Sequence, residues 1–124
     1  MKLRLLFVIG LIVGLGLISC EKEEPALTVE GNYTGSFEGI YNDKDSLTSN
    51  GYMVQVKMLN DNKIRVTGND FDTFEVLVTP NGINVEPITQ SDPYLDEFLY
   101  IGAEQKLRFT FNKGVNEAKF IGTK

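Results

Sequence analysis

Tyr52-Met53-Val54-Gln55-Val56-Lys57-Met58, Asn60-Asp61-Asn62 and Lys63-Ile64-Arg65-Val66-Thr67 form the stretch whose reading decides the fold. Tyr52, Val54, Val56 and Met58 alternate with Met53, Gln55 and Lys57, and Ile64 and Val66 alternate with Lys63, Arg65 and Thr67. Successive side chains of an extended strand point to opposite faces, so a period of two gives each run one face to bury. Asn60-Asp61-Asn62 between the runs is turn chemistry, because Asn and Asp bond their own backbone and tolerate left-handed conformations. Strand, short turn and strand make an antiparallel hairpin.

The pattern continues outward. Phe74, Val76 and Val78 alternate with Glu75 and Thr79, and Leu107, Phe109 and Phe111 alternate with Lys106, Arg108 and Thr110. Pro80-Asn81-Gly82, Gly102 and Lys113-Gly114 supply further turns. The spacing predicts eight strands, at about 31–39, 50–59, 62–69, 73–79, 83–88, 97–102, 105–112 and 116–123, with ends uncertain by ~2–4 residues. After the first residues of the chain no segment has a helical period. A meander of eight antiparallel strands leaves two edges open, and closure removes them. The expected fold is all-β, an eight-stranded up-and-down barrel over residues 30–124, with an open β-sandwich as the alternative.

Alternation points nine rings inward: Tyr33, Phe37, Tyr52, Phe74, Phe98, Tyr100, Phe109, Phe111 and Phe120. An eight-stranded barrel is either filled by side chains or holds one small ligand. Rings in this number favour filling. In a pocket, Tyr33, Tyr52 and Tyr100 would line the polar mouth, since buried phenols need partners.

Upstream, Lys2 and Arg4 precede an apolar run from Leu5 to Leu17, and Leu17-Ile18-Ser19-Cys20 closes it with the chain's one cysteine. A positive start, an apolar run and a small residue before the cut form the secretory pattern, and the uncharged stretch is shorter than the ~20 residues of a membrane span. Leu17-Ile18-Ser19-Cys20 resembles the lipobox of bacterial lipoproteins. That resemblance implies cleavage after Ser19, lipid on the Cys20 sulfur and acylation of the new N-terminus. The Lys22-Glu23-Glu24 run resembles the surface-export signal of Bacteroidota lipoproteins, implying an outer-membrane lipoprotein on the cell surface. An ordinary tether on the periplasmic face is the alternative. The expected organisation is a signal peptide at 1–19, a lipidated cysteine and acidic tether at 20–29, and one domain at 30–124.

Gly31-Asn32-Tyr33-Thr34-Gly35-Ser36-Phe37, Tyr52-Met53-Val54-Gln55-Val56 and the closing Phe120-Ile121-Gly122-Thr123-Lys124 resemble the lipocalin-like, or calycin-like, small lipoproteins of Bacteroidota. Lipocalins proper carry Gly-x-Trp in the first strand, whereas Tyr33 takes that place here and the chain has no tryptophan.

The whole chain carries a net charge of −5. Loss of Lys2 and Arg4 with the leader removes two positive charges, and the resulting acidic domain repels phosphate backbones, which excludes nucleic acid as a natural partner. The chain has no histidine, and Cys20 is committed to lipid. Zinc, haem and copper sites and His-dependent triads therefore lack their groups, and no cofactor is expected. Two stretches read as long loops, Ile40 to Asn50 and Thr89 to Asp96. Their Asn42, Asp43, Asp45, Asp92 and Asp96 lack the spacing of a calcium loop and read as solvated acids. Asp45-Ser46-Leu47 resembles the Bacteroidota O-glycosylation acceptor, which would place a sugar on Ser46. Glu38, Glu75 and Glu86 have no identifiable catalytic partner. The sequence points to a non-enzymatic, membrane-anchored binding module whose target is an envelope protein, a glycan or a host molecule. A carrier of a small apolar ligand and an inhibitor of a secreted hydrolase are the alternatives.

Overall fold

In the computed structural model, which describes residues 24–42, 45–88, 93–113 and 116–124, the alternating runs become strands β1 (Gly31–Tyr41), β2 (Asp45–Asn60), β3 (Lys63–Thr67), β4 (Phe74–Asn81), β5 (Asn84–Pro87), β6 (Leu95–Ile101), β7 (Lys106–Lys113) and β8 (Asn116–Thr123). Each pairs antiparallel with the next, and β8 returns to β1 from Thr34↔Thr123 to Ile40↔Glu117, closing the barrel in the order β1 to β8. The expected up-and-down barrel is borne out. Closure leaves no sheet edge at this seam, which is the physical reason eight amphipathic strands settle into it.

Gly35 stands opposite Gly122 in the closing seam. A Cβ at Gly35 would lie 2.1 Å from the carbonyl oxygen of Ile121, so the two backbones approach more closely than any side chain permits. The β4–β5 turn falls one residue later than the sequence suggests. Asn81 pairs with Asn84, and Gly82 and Ile83 make the turn, with Gly82 alone at a left-handed φ of 63°.

All nine inward rings are buried. Phe37 stacks on Tyr52 at 4.1 Å between centroids, Phe74 on Phe111 at 4.8 Å, and Phe109 lies between Phe74 at 5.2 Å and Phe120 at 5.6 Å. Ile64, Val54, Val56, Val66, Val76, Val78 and Leu107 fill the remaining space. No buried polar or charged side chain is found among the described residues.

Two expectations are corrected. The stretch 40–50 is not a long loop. β1 and β2 stay paired through Gly39↔Leu47, Ile40↔Ser46 and Tyr41↔Asp45, so most of the stretch is strand. Ser46, Leu47 and Thr48 are all exposed, so this arm of β2 is held by backbone pairing and has no buried face for alternation to reveal. The tether also ends sooner than expected. Pro25–Val29 is a short helix, α1, with Pro25 at its start, where a fixed φ and a missing N–H cost nothing. Five residues are too few to display a 3.6-residue period. Ala26 and Val29 are fully buried beneath the barrel.

The helix closes one end of the barrel. The Ala26 N–H donates to the Asp61 carbonyl at 3.1 Å, and the Met58 N–H donates to Glu30 Oε2 at 2.7 Å. The Tyr33 hydroxyl donates to the Val29 carbonyl. Lys124 Nζ donates to the carbonyls of Thr28 at 2.6 Å and Glu30 at 2.9 Å, beneath the rings of Tyr33 and Tyr100. The opposite end carries the β3–β4 connection at 68–73, with Tyr41 and Asp45, Pro87 and Leu95, and Lys113 and Asn116 as the strand ends beside it.

Candidate functional site

The β3–β4 connection, Gly68-Asn69-Asp70-Phe71-Asp72-Thr73, is polar except for one ring. Two tyrosines hold its main chain at Asp70. Tyr41, at the end of β1, donates its hydroxyl to the Asp70 carbonyl, and the Asp70 N–H donates to the Tyr52 hydroxyl oxygen at 2.9 Å. So pinned, the connection drops Phe71 onto the top of the core, 6.0 Å from Phe37, 6.0 Å from Phe74 and 5.5 Å from Phe109. Burial, partly offset by the Asp70 N–H and reinforced by the Asp70 carboxylate, pushes the Tyr52 phenol up to about 12. Burial, with the Asp70 charge adding, also raises Tyr41. Both hydroxyls therefore stay protonated in neutral solution.

Beside this plug lies a cleft of about 270 Å³ between the 69–72 stretch and the β7–β8 ends. Phe71, Phe111 and Ala118 give it an apolar floor. Asp70, Asp72, Glu117 and Lys113 supply its charges, and Tyr41, Asn69 and Asn116 complete the lining. Lys113 Nζ pairs with Asp72 at 3.1 Å and lies 5.6 Å from the centre of the Tyr94 ring. Tyr94 in turn meets Phe111 edge-on at 6.1 Å. Glu117 pairs with Lys119 at 3.2 Å, and the Asn42 N–H donates to Asn116 Oδ1 at 3.0 Å. Asp72 and Glu117 are paired with Lys113 and Lys119, so the excess negative charge of the lining is the Asp70 carboxylate, which favours a ligand that brings positive charge or N–H donors, with an apolar part for the floor.

The sequence-selected residues do not converge on this cleft. Tyr33 and Tyr100 meet edge to face at 6.4 Å at the helix-closed end, while Tyr52 lies at the open end. The three tyrosines therefore do not share a mouth. Burial raises the phenols of Tyr33 and Tyr100 as well, and the neighbouring Tyr100 adds to the rise at Tyr33. Ser46 is exposed at the start of β2, opposite Ile40. Glu24 is the residue before α1, and its carbonyl accepts the Thr28 N–H at 3.2 Å. Cys20, Lys22 and Glu23 lie outside the described residues, as do Asp43, Asp92 and the side chain of Asp45. Asp96 accepts from the Asn112 amide, Glu75 pairs with Lys63 and Arg65, and Glu86 accepts from Asn81. Among the described residues no three acids gather into a metal site.

Tyr41, Asp70, Phe71, Asp72, Lys113 and Glu117 escaped the sequence reading. The one local signal was a phenylalanine inside an otherwise polar turn. Compared with known proteins, the chain matches no family model, no curated protein and no solved structure. No helix among the described residues is long and apolar enough to cross a membrane.

Proposed function

We propose that this chain is a lipid-anchored binding module of the cell envelope, held through Cys20 on the outer membrane, exported to the cell surface by Lys22, Glu23 and Glu24, and acting without catalysis. The observation that carries the binding role is the cleft at the open end, with an apolar floor and a net negative lining, above an interior occupied by rings. A rigid barrel holding a site on its connecting segments is the usual arrangement for recognition. The cleft suits a basic, partly apolar group, such as a lysine or arginine side chain of an envelope or host protein. A carrier would need the space that Phe37, Tyr52, Phe109 and Phe120 now take, and a glycan offers no positive charge to the carboxylates.

The charge surplus supplies the test. Mature protein and an Asp72→Lys/Glu117→Lys variant would be used side by side to capture partners from envelope and host extracts. A true cleft partner should bind the variant at least about tenfold more weakly, since truncating or reversing charges at a contact costs a few kcal/mol. Equal capture by both proteins would refute the cleft as the binding site.

A further inference from the structure

The described chain begins at Glu24, and the path from Glu24 into the barrel is fixed. α1 follows directly, bonded to the β2–β3 turn through Ala26, buried through Ala26 and Val29, and clasped by Lys124. From Cys20 to Glu24 the chain has four residue steps, which reach at most about 14 Å. An eight-residue strand such as β7 is already about 26 Å long. A lipid on Cys20 therefore keeps the helix-closed end nearer to the bilayer than the cleft.

That end also presents apolar side chains to the outside. Leu27 on α1 is 51% exposed, and Ile83 at the tip of the β4–β5 turn is 68% exposed. Neither is needed by the core. Both ends carry acids, Glu24, Glu30, Asp61 and Glu104 at this end and Asp70, Asp72 and Glu117 at the other, so charge does not tell them apart and the short reach from Cys20 does. Apolar side chains next to an acyl anchor add to membrane attachment by their own buried area.

We infer that the helix-closed end is a membrane-contacting surface, seated on the bilayer through Leu27 and Ile83 beside the anchor, with the cleft directed away from the membrane. This seating rests on the reading of Cys20 as lipidated. It places the binding cleft where a partner outside the membrane reaches it without competition from lipid.

The experiment uses the full chain, processed in its own envelope and reconstituted in vesicles of phosphatidylethanolamine and phosphatidylglycerol that contain bromine-substituted lipids. Lipid on Cys20 blocks its sulfur, so Leu27→Cys, Ile83→Cys and, at the open end, Thr48→Cys each supply a single thiol for a fluorescent label. Labels at 27 and 83 should be quenched at least about threefold more than the label at 48, as expected for side chains in the interfacial layer. Ile83→Cys, on a turn, keeps the comparison open if Leu27→Cys loosens α1. Equal quenching at both ends, in protein whose intact mass carries the acyl chains, would overturn the seating alone. An intact mass without acyl chains would overturn both the seating and the anchor beneath it.

Discussion

Phe109 is 1% exposed, with rings on three sides at 5.2–5.6 Å from Phe74, Phe71 and Phe120. Its replacement leaves a hole that surrounding rings on fixed strands close only in part. Phe109→Ala should cost ~3–5 kcal/mol, a large share of the ~5–15 kcal/mol of a typical domain, and shift the urea midpoint sharply downward. A loss under about 1 kcal/mol would mean that the ring borders open space, and would favour a ligand pocket. The tyrosines give a second residue-scale expectation. Burial pushes the Tyr52 phenol up to about 12, above the ordinary phenol value, and raises Tyr33, Tyr41 and Tyr100 too. Above the ordinary phenol value the unfolded chain releases protons that the folded chain retains, so stability falls as pH rises. The loss should begin near pH 10 and continue toward about 12. Tyr52→Phe removes one phenol and should flatten that fall in alkaline urea melts, and an unchanged slope would show that Tyr52 does not contribute.

At the scale of elements, the β1–β8 seam is the most demanding joint because it alone links the two ends of the meander. Gly35 faces Gly122 there, and a Cβ at Gly35 would meet the Ile121 backbone. Backbone cannot swing aside as a side-chain tip does. Gly35→Ala should therefore cost ~1–3 kcal/mol, as overpacking does, with the loss read as a lower urea midpoint and faster amide exchange in β1 and β8. Exchange that rises equally in all strands would show a global loss rather than a seam effect. The same scale explains what alternation overlooked. The outer arm of β2 at 46–48 is exposed on both faces, and α1 is one short turn of helix, so neither carries the periodic burial by which strands and helices are recognised.

For the whole molecule, an apolar run and a single cysteine precede a closed barrel. On the proposed anchoring, Cys20→Ala should abolish fatty-acid labelling and release the protein from membranes, since every acyl chain would depend on that residue. Persistent labelling with radioactive palmitate in the variant would refute the anchor. The alternation of Tyr52 to Met58, Ile64 to Val66 and Leu107 to Phe111 by itself determined the strands and their buried faces and, through the need to cover two edges, favoured a barrel over an open sandwich, which the β8–β1 pairing decided. These are local consequences of a two-residue period and of turn chemistry. The candidate cleft had no such signature. It joins Tyr41, Asp70 to Asp72, Phe111, Lys113 and Glu117 across some seventy-six positions of sequence, and only closure of β8 onto β1 brings them to one end. The same closure separated Tyr52 from Tyr33 and Tyr100, because each residue's height along its strand depends on register and stagger, which alternation leaves free.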